Sequence, residues 1–279
     1  MPRSMSVDHT IAFVGAGNMA SALIRGLVGT ATVRAEMITA SDPVQARVSA
    51  LAEEVGIRAT ADNAEAVRNA NIVVLATKPQ VFAQLLPAIA ASLLPDSLVV
   101  SIAAGIPTTM IERSLAPGSR VVRTMPNTPA LVGAGATAIA AGSHATDADL
   151  DLVETLFRSV GISVRVPERQ IDAVTGLSGS GPAYVFALIE ALRDAGAREG
   201  LPEETALRLA SQTVFGAARL LLDANEPPEV LRERVTSPGG TTRAGLDALA
   251  AGGFAEAVLG AVRAATSRSV ELGKLTEGG

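Results

Sequence analysis

The chain has 279 residues, 48% of them hydrophobic, with a formal net charge of −5, two histidines and no cysteine. That length predicts two domains. The lack of cysteine excludes disulfides, thiolate nucleophiles and thiolate metal sites, and acidity without a basic cluster argues against a nucleic-acid partner. Mean hydropathy is +0.34, yet no run of about 18 apolar residues occurs, so no membrane span is expected. Much of the apolar excess is alanine, which suggests surface buried between subunits. The first ten residues carry no apolar h-region, so no secretory signal is expected and the cytoplasm is the expected compartment. Met5 is an alternative start to Met1. A histidine-based triad or metal site would need His9 or His144, both expected on the surface, so no metal is expected. A bound cofactor is left to carry the chemistry.

The run Ile11–Val14 predicts a buried strand, and Met19–Leu27 a helix. Between them stands Gly15-Ala16-Gly17-Asn18-Met19-Ala20, a G-x-G-x-x-G/A sequence in the strand–turn–helix setting that gives it meaning. Gly15 allows the turn, Gly17 lets a pyrophosphate approach the backbone, and Ala20 lets helix and strand lie close. The helix start then offers free N–H groups to phosphates.

A second strand over Ile38–Ala40 ends at Ser41 and Asp42. Asp42 suits the adenine ribose of NAD or the cap of a helix from Pro43 to Leu51; Ser41 and Arg47 suit a 2′-phosphate instead. Asn63 stands before a helix from Ala64 to Asn69, as a cofactor contact or a cap. The third strand, Ile72–Ala76, ends in Thr77-Lys78-Pro79, at the carboxyl edge where ligands bind in open α/β folds; Lys78 faces cofactor or solvent. Strand four is Leu98–Gly105, its helix Ile106–Leu115. Strand five, Arg120–Arg123, leads into Met125-Pro126-Asn127-Thr128-Pro129, a fixed loop in which Asn127 can position substrate or nicotinamide. Ala136–Ala141 is a further strand, Asp147–Ser159 a helix and Ser163–Val166 a last strand.

Beyond Pro167 the pattern is helical: Pro182–Arg198, Pro202–Asp223 and Phe254–Leu275. The middle of the second is apolar on several faces, so it is buried on several sides. These helices are expected to interleave with a second subunit. Thr236-Ser237-Pro238-Gly239-Gly240-Thr241-Thr242 precedes a helix from Arg243 to Leu249 and makes either an anion pocket of backbone N–H groups or a plain capped helix start. Thr175–Tyr184 lacks the lysine of a P-loop and the spacing of a nucleophile elbow. A packing role is expected, with Thr175 or Ser178 as substrate donors.

These segments together, GAGNMA at 15–20, ATKP at 76–79, MPNTP at 125–129, DAVTGLSGSGPAY at 172–184 and TSPGGTT at 236–242, resemble the pyrroline-5-carboxylate reductase family, in order from Ile11 to about Leu275. The resemblance implies a Rossmann-type α/β dinucleotide-binding domain (8–166) followed by an all-helical substrate-binding and dimerisation domain (167–279). It implies a homodimer through the C-terminal helices, assembled into a larger ring. The implied reaction is reduction of 1-pyrroline-5-carboxylate to L-proline, the last step of proline biosynthesis, with NADPH, or NADH, as cofactor. Implied cofactor contacts are Asn63, Ala76, Thr77, Lys78, Pro79, Ala103, Ala104 and Gly105, beside Gly15, Ala16, Gly17, Asn18, Met19, Ser41 and Asn127. The substrate carboxylate falls to the Ser237 turn with the N–H groups of Gly239, Gly240, Thr241 and Thr242. Thr242 is implied as catalytic through its hydroxyl at the imine nitrogen, and Glu168 and Thr175 line the same pocket. Arg234 departs from an asparagine common in the family, and Asp42 from a residue friendlier to a 2′-phosphate. The alternatives are a reductase of another small cyclic imine or keto acid, and a non-catalytic NAD(P)-binding regulator.

Overall fold

The computed structural model describes residues 7–277, and the side chains of 7–274; Met1 and Met5 lie outside it. Two compact units divide the chain: residues up to Ser180 together with those from Ala264, and Gly181–Arg263.

The first unit holds an eight-stranded sheet: β1 (Ile11–Val14), β2 (Ile38–Ser41), β3 (Arg58–Thr60), β4 (Ile72–Leu75), β5 (Leu98–Ser101), β6 (Arg120–Met125), β7 (Gly135–Ala141) and β8 (Gly161–Arg165). Their order is β3-β2-β1-β4-β5-β6-β7-β8. All neighbours run parallel except β6 and β7. A parallel sheet is covered on both faces, so its strands read as unbroken apolar runs; β1, β4 and β5 are buried at every residue. The covering helices are α1 (Asn18–Gly29), α2 (Gln45–Val55), α3 (Asn63–Val67), α4 (Phe82–Ala90), α5 (Thr108–Arg113) and α6 (Asp147–Phe157). Strand order reverses between β1 and β4, so the loops after these strands face one ligand edge.

Several elements escaped the sequence reading, three of them for evident reasons. β3 is short and carries no apolar alternation. α4 holds Pro87 inside it, a residue that reads as a breaker. The seven-residue α10 (Pro228–Arg234) opens on a proline, which the first helical turn tolerates because its N–H would be unpaired there.

The two compact units part at Ser180, beyond the expected domain border at Pro167. By packing, the short α7 (Ile171–Val174) and the π-helical turn Thr175–Gly179 stay with the sheet. Ile171 is fully buried against Ala138 and Ala140 of β7, and Glu168 is bonded to β6. The second unit holds α8 (Gly181–Arg198), α9 (Glu203–Ala224), α10, α11 (Thr241–Ala251) and the start of α12 (Phe254–Glu277), whose far end belongs to the first unit. No single helix among the described residues is long and apolar enough to cross a membrane.

Candidate functional site: a nucleotide edge and an open helix start

Gly15 has φ +102°, and a Cβ there would lie 2.7 Å from the Ala76 carbonyl oxygen, so only glycine fits. A Cβ on Gly17 would meet nothing within 4 Å, which leaves the backbone open to a ligand. Gly17 is the residue before α1 and no side chain caps it, so the first N–H groups of that helix, at Asn18 and Met19, are available to an anion. Ala20 is buried in the core with β1.

Asp42 caps no helix and is turned into the fold. It is 4% exposed, and its Oδ2 accepts the Ala16 N–H at 2.9 Å. Oδ1 accepts the Val44 N–H at 2.9 Å, a local turn leading into α2, and Arg47 Nη1 lies 3.3 Å from Oδ2. The carboxylate braces the glycine loop from inside. Ser41 Oγ bonds Asn63 Oδ1 at 2.8 Å. Asn63 does not cap α3: Asp62 does, by accepting the Ala64 N–H at 2.8 Å.

Along the same edge, Thr77 Oγ1 is buried without a hydrogen-bond partner among the described residues, a group that calls for a partner. Lys78 is exposed. Thr124 Oγ1 donates to the Ser101 carbonyl at 3.0 Å and fixes the end of β5 before Ala103, Ala104 and Gly105.

Asn127 is a clamp. Its Oδ1 accepts the Ala136 N–H at 2.8 Å, and its Nδ2 donates to Ser178 at 3.2 Å. Thr175 Oγ1 donates back to the Ile171 carbonyl at 2.8 Å. A Cβ on Gly179 would lie 2.6 Å from Met125 Cε, the flexible end of that side chain, and one on Gly181 would meet nothing within 4 Å.

Glu168 is turned toward the sheet. Oε1 accepts the Thr108 N–H at 2.7 Å, Oε2 the Thr108 hydroxyl at 2.6 Å, and Arg123 Nη1 lies 3.2 Å from Oε1. Arg123 was missed by sequence reading. The signal was there: one cation inside the buried strand Val121-Val122-Arg123-Thr124.

In the second unit, the Gly240 N–H donates to the Ser237 carbonyl at 3.0 Å. Pro238 and Gly239 (φ +69°) fill the two corner positions, the pattern of a type II turn. A Cβ on Gly240 would lie 2.6 Å from Ser237 Oγ. Gly240 precedes α11 with no side-chain cap, so the N–H groups of the first turn, at Thr241 and Thr242, are not taken by a capping side chain. Arg234, the departure noted above, forms a two-pronged pair with Glu226 at 2.8 and 2.6 Å. Among the described residues no group of acids and histidines is placed to hold a metal ion.

A braced glycine loop at a topological switch point, with open N–H donors and an unsatisfied hydroxyl, fits a nicotinamide dinucleotide; fold and site define a dinucleotide-dependent oxidoreductase. Comparison narrows the class. A family model described as pyrroline-5-carboxylate reductase dimerisation matches residues 168–272, and one described as NADP oxidoreductase, coenzyme F420-dependent, matches 10–105. Pyrroline-5-carboxylate reductases from Methanosarcina acetivorans and Pseudomonas aeruginosa are 45% and 47% identical, over 96% and 94% of this chain and 99% and 96% of theirs. A solved pyrroline-5-carboxylate reductase from Coxiella burnetii is 38% identical with a TM-score of 0.91, over 95% of this chain and 99% of its own. One from Plasmodium falciparum, solved with NADP bound, is 31% identical with a TM-score of 0.85, over 96% and 99%. The chain belongs to the pyrroline-5-carboxylate reductase family.

Proposed function

We propose that the protein reduces 1-pyrroline-5-carboxylate to L-proline with NADPH, in the cytoplasm, as a homodimer built on the C-terminal helices and assembled into a larger ring. The observation that carries the substrate is the uncapped start of α11 behind the Ser237–Gly240 turn. The N–H groups of Gly239, Thr241 and Thr242 suit one carboxylate, that of Gly240 being taken by the Ser237 carbonyl, and a cyclic imine with one carboxylate needs neither nucleophile nor metal.

When bound, the nicotinamide supplies the hydride. The chain does the rest. The backbone of Gly15–Met19 takes the pyrophosphate, with Asp42 holding Ala16 in place. The loops at Ala76–Pro79 and Ala103–Gly105 take the remainder of the cofactor. The turn fixes the substrate carboxylate, and Thr242 donates a hydrogen bond to the imine nitrogen as it gains electron density. Orientation of this kind is worth about 7–11 kcal/mol of a barrier. Thr175 stands as a substrate neighbour. Glu168, with both oxygens occupied, acts through Thr108.

Because Asp42 is turned inward, its charge does not face a 2′-phosphate, and Arg47, half-exposed beside it, suits that group. Arg47→Ala is therefore expected to raise KM for NADPH about tenfold while leaving KM for NADH unchanged. Equal effects on both would remove Arg47 from the cofactor site.

The test of the reaction is oxidation of NADPH and NADH followed with 1-pyrroline-5-carboxylate. Thr242→Ala is expected to cut kcat/KM about a hundredfold, the usual loss of one positioned donor, with NADPH affinity unchanged. Wild-type turnover in that variant would sink the role of Thr242. Turnover of other imines or keto acids alone would point to a different substrate, and NADPH binding without turnover of any would point to a regulator.

A further inference from the structure

Arg123 lies on β6 with its side chain 6% exposed. An arginine keeps its charge in any protein setting, and a charge taken out of water must be matched by partners or it costs several kcal/mol. Two carboxylates face it: Glu168 at 3.2 Å and Asp172 at 3.9 Å. Each carboxylate reaches onward. Glu168 holds the Thr108 N–H and hydroxyl at the start of α5. Asp172 accepts the hydroxyl of Ser269, a buried residue on the far part of α12, at 2.7 Å. One unbroken polar chain thus runs from α12 through α7 and β6 to Thr108.

The same face of α12 meets the same loop a second time. Ser269 and Gly273 are four residues apart and lie one turn above the other. A Cβ on Gly105 (φ +71°) would lie 3.4 Å from the Gly273 backbone nitrogen, and a Cβ on Gly273 would lie 3.4 Å from the Gly105 carbonyl oxygen. The segment Ser101–Thr108 is therefore pinned at its start by Thr124, in its middle by Gly273 and at its end by Glu168.

We propose that Arg123, Glu168, Asp172 and Ser269 form a positioning network, which uses the far end of α12 to hold the backbone of Ala103–Gly105 in the form the dinucleotide cofactor requires. The proposal rests on the reading of Ala103–Gly105 as cofactor contacts. None of the four residues needs to touch cofactor or substrate. Arg123 matters because its planar fork reaches two carboxylates at once from inside the sheet.

The test is titration of the full-length protein with NADPH by calorimetry, with no imine present, beside hydrogen exchange of the amides in 101–108. Ser269→Ala removes a single hydroxyl. It is expected to weaken NADPH binding about three- to tenfold, the range in which residues remote from a ligand act, and to speed exchange at 103–108. KM for the imine and kcat at saturating NADPH should stay within twofold. Arg123→Lys is expected to bind NADPH more tightly than Arg123→Gln. Wild-type NADPH affinity and wild-type exchange in folded Ser269→Ala would overturn the proposal. So would a loss shared equally between KM for NADPH and KM for the imine, because a merely structural role predicts that. Should Arg123→Gln fail to fold, Ser269→Ala decides alone. A wild-type protein that binds NADPH but leaves pyrroline-5-carboxylate untouched would overturn the reaction above and leave this titration intact.

Discussion

Residues up to Ser180 bury their apolar side chains among themselves: Phe13, Ile24, Leu75, Phe82 and Phe157 are all within the sheet and its covering helices, out of contact with solvent. Residues 181–263 do not. Their buried apolar residues are Ala206 and Ala210, while seventeen large apolar side chains stand exposed there, against nine in the rest of the described chain. Full burial of one such side chain contributes roughly 1.5–3 kcal/mol, and ordering each residue's backbone costs about 1–2 kcal/mol. Two buried alanines cannot offset that cost, so the second unit draws its stability from a surface outside itself. The family model covering 168–272 is one of dimerisation, and a second copy is the surface that fits. Two glycine turns show the same contrast. The loop at Gly15 is braced by a buried carboxylate within its own unit, whereas the Ser237–Gly240 turn is closed by its own backbone hydrogen bond and leads into a helix that no side chain caps.

The largest expected effect comes from charging the exposed apolar face. Phe215 on α9 is 65% exposed in one copy. If a second copy covers it, Phe215→Glu buries an unpaired carboxylate, which costs several kcal/mol. The variant should elute at monomer mass in size-exclusion chromatography with light scattering and melt well below the wild type. A dimer of unchanged melting temperature would break the comparison at this helix.

Next is Gly15→Ala, which probes the self-contained unit. The added methyl meets the Ala76 carbonyl at 2.7 Å, at a φ that L side chains rarely adopt. Strain of that kind costs on the order of 1–3 kcal/mol, and here it falls on the loop itself. NADPH affinity should drop more than tenfold while the dimer persists. Loss of the dimer together with the cofactor would mean that the two units are not independent in stability.

Much of this was legible in the sequence, and the gaps have physical causes. Parallel strands are apolar throughout, so β1, β4 and β5 stood out, and the glycine motif between β1 and α1 had its confirming context. Asp42 was legible only as two alternatives, because pointing inward to Ala16 rather than outward to a ribose depends on the packing of β2 against β1. Glu168 was named as a pocket residue, yet its oxygens go to Thr108 and Arg123, sixty and forty-five residues away in sequence. Pairing at that separation leaves no local pattern. For the Ser237–Gly240 turn the sequence left pocket and capped start open, and no side chain caps α11. The border at Pro167 marked a true change of pattern, from strands to helices, but composition does not reveal that α7 packs back on β7.

The smallest expected effect lies on the surface of the first unit, where the core should make single ion pairs nearly irrelevant. Arg25 on α1 and Glu54 on α2 form a two-pronged pair at 2.7 and 2.6 Å, and the hydrogen bond from Arg25 holds the Glu54 carboxyl below its ordinary range. A carboxyl depressed in the folded state adds stability above its unfolded pKa, about 4.3, and that contribution is lost as pH falls through the folded value. Glu54 is exposed, its side chain about half open to solvent, so screening leaves the contribution small. Glu54→Gln should therefore lower the melting temperature only slightly at neutral pH and low salt, and the difference from wild type should vanish in acid and in high salt. A drop at neutral pH as large as that of Phe215→Glu would show that surface charge, rather than the buried strands, holds the first unit together, and the contrast between the two units would lose its basis.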